Sequence, residues 1–528
     1  MTPIERSELN FKNFNHFISS RDFAITTLAE RMNPPVSMIR CLPLLPPVLL
    51  VLLLLCLQLT WSGADSPPGV ADERIDRTAL RAGVAAVDTT PQVWPVPVRG
   101  RIRHSAHDAL HARALVLSDG PTTLALVVVD ALGVGPELCA EIKQRAADRC
   151  GIRPDRILIA STHTHSTPSP GVKEGNEALV DYGRRFADGA VEAIVQAHAA
   201  LAPASVGWAS HDLPEEVRNR RWFLQPGHMT PNPWGLMDQV KTNPGSSPEV
   251  LDRPAGPIDP AVMILSVMDA RGREARSIFA NYALHYVGGF PDDQVSSDYF
   301  GEFSRLMPSR LRSEEGFVAM MSNGASGDIN NLPFLTRRPP REAGEQSRIV
   351  AAKAADAAWH AFRSIESHES DVVLGMIERD ITLDALQPTA DQVERARIIM
   401  AIEDRAERRA LHQRAEGSAR RTLDADADER FTLPLQAIRV GDSAIVGIPF
   451  EVLVEIGLEL KERSPFESTM VIGLANGRHG YLPTPQQHEW GGYETWLGVC
   501  RVQKDASDLI IEQLLDMLGE LRNGGTDN

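Results

Sequence analysis

Aromatic side chains make up only 6% of the 528 residues, and cysteine occurs five times. So few cysteines give no disulfide framework to fold around. With no CxxC pair and no Cys/His array, a thiolate zinc site is excluded. No basic tract stands against the formal charge of −16, which argues against nucleic acid as a partner. The same acidic excess disfavours electrostatic docking on anionic lipid and leaves room only for peripheral membrane contact. Internal repeats and low-complexity linkers are lacking. What is there is ordinary globular composition, 43% hydrophobic and 23% charged, which rules out collagen-like, coiled-coil and largely disordered chains.

One long apolar run stands out, Leu42 to Leu59, with Arg40 before it and Ser62-Gly63-Ala64 after it. That order reads as a secretory signal cut after Ala64. Pro43, Pro46 and Pro47 shorten the continuous run to about a dozen residues, below the ~20 that a spanning helix needs, so an uncleaved anchor is the weaker reading. A lipoprotein cut at Cys56 is disfavoured by the bulk of Leu55. Residues 1–64 are therefore expected to be an N-terminal extension and signal, with Met32 or Met38 as a plausible start. Residues 65–528 are expected to form one exported domain, periplasmic or secreted.

Along that domain, Leu80 to Val87, Ala114 to Leu117 and Thr123 to Asp130 read as strands. The last is a continuous apolar run ending in an acid, as in a strand buried on both faces. A helix over Glu137 to Arg149 and a strand over Arg156 to Ala160 complete a β-α-β unit, which calls for parallel pairing. Eleven positions of helix from Cys139 to Cys150 span about 16 Å, too far to bond unless the helix ends before Cys150. Asn176 to Ala200 reads as a long helix and Ala204 to Ala209 as a strand. Gln225 to Pro260 is a long Pro/Gly-rich excursion with little periodicity. Val262 to Val267, Ala275 to Ala283, Leu435 to Val440, Ser443 to Ile448 and Met470 to Ala475 are further strands. Helices are expected at Ser347 to Ser364 and Ala506 to Leu521. A highly charged stretch, Thr389 to Arg421, reads as a helical hairpin or lid inserted around 385–425. The expected fold class is α/β, one large domain with a mixed or parallel sheet and flanking helices.

Polar residues just past strand ends are where open α/β sheets carry chemistry. Five such clusters occur. His163-Thr164-His165 follows the strand ending at Ala160. His285 follows the strand ending at Ala283, with Ser296-Ser297-Asp298 beyond it as possible second acceptors. Asn323 to Asn331 is a small-residue loop after an apolar segment. Glu451 follows Gly447-Ile448-Pro449-Phe450, and Tyr481 follows Gly477-Arg478-His479-Gly480. Taken singly, each also reads as a plain polar turn or a helix N-terminal acid.

Together these motifs resemble the neutral, non-lysosomal ceramidases and their bacterial relatives. STHTHSTPSPG at Ser161 to Gly171 is similar to that family's THTHSGPG signature. HDALHARALVL at His107 to Leu117, VRNRRW at Val217 to Trp222, NYALHYVGG around His285, GIPFE at Gly447 to Glu451 and GLANGRHGYLPT ending past Tyr481 follow in the family's order. The resemblance implies one catalytic zinc per chain, held by His163, His285, Glu451 and Tyr481. It implies an N-acyl amide bond, in ceramide or a related lipid amide, cleaved by metal-activated water. It assigns His165 to proton transfer or orientation and Arg220 to the substrate's polar head or the developing oxyanion. Where the family's ceramidases carry a serine in a GDxSPN loop, this chain has Asp328-Ile329-Asn330-Asn331. Asp328 and Asn330 thus enter the catalytic set, with Asn330 as an oxyanion donor that cannot be a nucleophile. The family's C-terminal immunoglobulin-like domain is expected to be lacking, since the chain ends soon after GGYETW. The excursion Gln225 to Pro260 is placed at the mouth of the site, with Trp234 and Met237 binding the acyl chain. The alternatives are a zinc hydrolase of another amide or ester, and a non-catalytic binding protein on the same fold.

Overall fold

The computed structural model describes residues 79–172 and 174–524, all within the compact unit Arg74–Asn528. The signal expected at residues 38–64 lies outside the described residues. Among the described residues no helix is long and apolar enough to cross a membrane.

Two sheets pack face to face and helices cover their outer faces. The larger sheet has eight strands: β1 Arg81–Asp88, β2 His111–Ser118, β3 Thr123–Val129, β4 Ile157–Ser161, β5 Ala202–Asp212, β6 Ala261–Asp269, β7 Ala275–Tyr282 and β8 Val318–Asn323. Their spatial order is β8-β7-β6-β5-β1-β2-β3-β4. The smaller sheet is β9 Leu374–Asp384, β10 Arg430–Val440, β11 Ser443–Ile448 and β12 Ser468–Gly473, in that order. Most neighbours are antiparallel, because short hairpins such as residues 119–122, 270–274 and 441–442 join them. Within these two sheets the parallel pairs are β3/β4, β7/β8 and β11/β12.

Side-chain alternation explains the layering. In β2 and β3, Leu115, Leu117, Leu124, Leu126 and Val128 point between the sheets, against Ile438, Ile445, Met470 and Ile472 of the smaller sheet. Ala112, Ala114, Val116, Ala125, Val127 and Val129 point outward, onto α1 (Pro136–Cys150) and α2 (Glu177–Ala199). Large residues fill the inter-sheet space, and smaller ones let the helices approach. Gly83 of β1 is the extreme case, since a Cβ there would lie 2.1 Å from the Ala197 carbonyl oxygen of α2. Helices α3 (Asp298–Leu311) and α4 (Glu345–Ser364) cover the outer face of β6 to β8. The outer face of the smaller sheet carries α8 (Val454–Arg463) and α9 (Ala506–Arg522). Truncating Leu126, fully buried between the sheets, to Ala is expected to cost about 2–5 kcal/mol.

The β-α-β unit pairs in parallel as expected, and α1 spans both Cys139 and Cys150, which are free thiols, as is Cys500. Three elements escape the sequence pattern. In β9 the apolar alternation is interrupted by Glu378, Arg379 and Asp380, and the first two are used in ion pairs to Lys143 and to Asp516 and Glu520. Pro308 sits inside α3, and α8 is short. The charged stretch forms three helices rather than two, α5 Ala390–Ala401, α6 Arg405–Leu411 and α7 Ala415–Leu423. The excursion 225–260 is not wholly irregular. Val240–Thr242 and Leu251–Pro254 pair on either side of Arg221–Leu224 as a small sheet.

Candidate functional site

The candidate residues converge because they leave the parallel strand pairs at their carboxyl ends. His163 follows β4, His285 follows β7, Glu451 follows β11 and Tyr481 follows β12. The edges of the two sheets are stitched together there: Asn476 donates its backbone N–H to the Ile159 carbonyl at 2.8 Å, and its side-chain oxygen accepts from Ile159 N at 3.1 Å. A two-residue parallel bridge, Glu451 to Tyr481 and Val452 to Leu482, then sets the acid beside the phenol.

His163 sits in the left-handed region, φ 67°, a conformation that most non-glycine residues avoid and that is found at over-determined sites. Its Nδ1 lies 2.7 Å from the Leu132 carbonyl oxygen, and His285 Nδ1 lies 2.9 Å from that of Ser326. A carbonyl only accepts, so both Nδ1 atoms carry the proton and both Nε2 atoms present lone pairs. These two Nε2 atoms face each other at 3.1 Å. Glu451 Oε2 lies 3.3 Å from His163 Nε2 and 3.9 Å from His285 Nε2, is buried, and has no hydrogen-bond partner. Two lone pairs and an orphaned carboxylate oxygen around one point repel unless a cation lies among them, and nitrogen and oxygen donors of this kind suit a metal ion. His163, His165 and His285 form a group able to hold a metal, their ring nitrogens within 4.8 Å of one another.

His165 differs from the other two imidazoles. It stacks on Tyr286 at 3.6 Å, and the Arg99 guanidinium donates to its Nδ1, so its proton lies on Nε2, 3.1 Å from His163 Nε2. Burial, with His163, His285 and Arg99 adding to it, pushes His165 well below its ordinary pKa and keeps it neutral. Burial, then His163 and Arg220, does the same to His285. Burial works against ionisation of Glu451, while the Tyr481 hydroxyl favours its charged form. The Tyr481 hydroxyl accepts from Arg220 Nη2 at 3.0 Å. Arg220 in turn donates its Nε to Glu494 Oε1 at 3.0 Å. Glu494 is fully buried and also accepts from Arg221 Nη1 at 2.9 Å and Thr242 Oγ1 at 2.6 Å.

In front of this cluster lies a cavity of about 530 Å³. Its floor is His165, His285, Arg220 and Tyr481. Its walls come from two stretches of the excursion, 229–232 and 238–243, and from the turn His412–Arg414 between α6 and α7.

The other expected site residues are placed differently. Asp328 is fully buried behind the floor, accepting from Val454 N at 2.9 Å and Asn219 Nδ2 at 2.8 Å, while its carbonyl takes the Arg220 N–H at 2.7 Å. Its carboxylate braces the loop that positions Arg220. Asn330 donates Nδ2 to Asn243 Oδ1 at 2.5 Å and accepts from Leu332 N, so its amide is engaged with the residue that lines the cavity and does not itself line it. Trp234 is 1% exposed in the core under α7, its Nε1 donating to Thr422 Oγ1 at 2.8 Å. Met237 is 59% exposed. Neither Trp234 nor Met237 lines the cavity, so the apolar wall expected of them is not there; Trp234 anchors the excursion instead. Residues that sequence reasoning missed are Glu494, Asn243 and Arg99. Only Glu494 carried a signal, a lone acid among glycines and aromatics in GGYETW.

No protein-family model matches the chain. Among curated proteins it aligns with the neutral ceramidase of Pseudomonas aeruginosa at 25% identity over 285 residues, half of this chain and 39% of that enzyme. Among solved structures, the crystal structure of neutral ceramidase from Pseudomonas aeruginosa superposes with a TM-score of 0.63 at 18% identity, covering 86% of this chain and 76% of that one. The fold is that of neutral ceramidase. A ceramidase complexed with C2 gives the same TM-score at 17% identity, covering 85% and 76%. The chain's aligned part spans about two fifths of the curated ceramidase's length.

Proposed function

We propose that this chain is a zinc-dependent amidohydrolase of ceramidase type, cleaving the N-acyl bond of ceramide or a related lipid amide. The observation that carries the reading is the inward pair of imidazole lone pairs with the orphaned Glu451 oxygen, at the floor of a cavity. The neutral ceramidase likeness supports both the chemistry and the substrate class. His163, His285 and Glu451 would hold the ion, with Tyr481 beside Glu451 as a fourth donor. Zinc bound there would supply Lewis acidity and a water activated at neutral pH.

The protein's own groups do the rest. His165, neutral with its proton on Nε2 turned toward the site, would orient the bound water or substrate by donating a hydrogen bond from that N–H. Arg220, fixed by Glu494, presents a cation where the amide oxygen gains charge. Asn330 stands where the family has serine, so cleavage should proceed without a covalent acyl-enzyme, and hydroxylamine trapping is expected to give no acyl adduct. We also place the chain outside the cytoplasm, on the apolar run 42–59. The decisive experiment is hydrolysis of a fluorogenic ceramide and of N-acyl amides before chelation, after it, and after zinc is restored. Activity lost and regained supports the reading. Activity indifferent to chelation, with full metal content kept by His163→Ala and Glu451→Ala, refutes it.

A further inference from the structure

The walls of the cavity carry a charge that the floor does not need. Arg99, Lys241 and Arg414 all line it. Among the described residues none of the three has a carboxylate within ion-pair distance. Lys241 Nζ rests on Thr230 Oγ1 at 2.7 Å, the Arg414 guanidinium lies over the Tyr493 ring at 4.8 Å, and Arg99 donates to His165. Lys241, Arg414 and His412 line the same cavity, and the His412 pKa is lowered first by burial and then by these two cations. The opposing charge is small. Asp238 is the one carboxylate lining the cavity, and Asn232 Nδ2, Gly492 N and Trp496 Nε1 saturate it. Glu494 is matched by Arg220 and Arg221.

Elsewhere in the insertion, cations do reach a carboxylate. Arg405, Arg408 and Arg420 all pair with Glu416. Unpaired cations converging on one concave site, in a chain of net charge −16, focus a positive potential there and favour an anion. The hydroxyls of a neutral headgroup would leave that potential unused. The apolar lining is modest too, supplied by residues such as Met229, Val240 and Trp496.

We infer that the substrate's polar end carries a negative charge, a carboxylate or a phosphate, held by Lys241 and Arg414 while its amide lies over the histidine cluster. The inference rests on the amidohydrolase reading and narrows its substrate to anionic N-acyl amides. The test is calorimetric binding of N-dodecanoylglycine, its uncharged methyl ester and N-dodecanoyl-phosphoethanolamine to the metal-loaded chain, with dodecanoate release followed on the same samples. Both anions are expected to bind on the order of tenfold more tightly than the ester. The preference should weaken with added salt and vanish in a Lys241→Gln/Arg414→Gln variant that keeps its metal. The tighter of the two anions names the source. Equal binding of acid and ester, or a preference that survives the double variant, overturns the inference. Cleavage is a separate readout. Charge-selective binding without release of dodecanoate counts against the hydrolase reading alone, and ceramide cleavage without charge selectivity counts against this inference alone.

Discussion

The floor and the wall of the cavity are held by different means. At and just behind the floor, His163, His285, Glu451 and Tyr481 are at most 7% exposed, leave parallel strand pairs of both sheets, and are fixed by backbone carbonyls or buried partners. The wall comes from the excursion and from the turn between α6 and α7. There Lys241 is half-buried with its Nζ on Thr230, and Arg414 is exposed with its guanidinium over Tyr493. A rigid floor fixes the geometry of the reacting atoms. A wall of polar loops decides what is admitted, and loops tolerate change that sheets do not. A chain can therefore share the ceramidase fold and an arrangement suited to a metal while selecting a different acyl amide.

The comparison breaks most sharply at the floor. Changing His285 to Ala is expected to remove the metal and lower amide turnover by about 10³-fold or more, since one change removes both a ligand and the charge stabilisation it supports; metal analysis and steady-state kinetics check this. Arg221→Met tests the support beneath Arg220. It leaves part of the Glu494 charge buried without a partner, together with the Gly491 carbonyl that Arg221 also serves. Urea unfolding should show a loss of about 3–5 kcal/mol. Trp234→Ala should cost about 3 kcal/mol by the same measurement, because it empties a buried indole site, whereas exposed Met237→Ala should stay within about 0.5 kcal/mol. The smallest catalytic effect is expected for Asn330→Ala. With its amide spent on Asn243, turnover should fall about tenfold or less, and a fall of about 10²–10³ would instead make Asn330 an oxyanion donor.

The strand-end clusters were legible in the sequence because each sits a few positions past an apolar run, where a sheet exposes side chains, but only the resemblance to the ceramidases joined them into one site. The β-α-β unit and the inter-sheet strands were legible from the same apolar runs. The antiparallel centre of the larger sheet was not, since alternation identifies a strand without naming its neighbour. Asp328 and Asn330 lie beside the site in sequence but turn away from the cavity, because their side chains are needed by Val454, Asn219 and Asn243. Trp234 reads as a loop residue by periodicity, yet it is core, because α7, some 180 positions later, folds over it. Glu494 and Arg99 reach the floor only through long-range packing that no local pattern records.

The central claim is that His163, His285 and Glu451 surround a metal ion. Elemental analysis of the purified chain beside its His163→Ala/His285→Ala variant tests it most directly. The account predicts about one zinc per chain in the first and essentially none in the second, with both chains folded by circular dichroism. A folded native chain that binds no metal under zinc-replete conditions, or a double variant that retains a full equivalent, would contradict it.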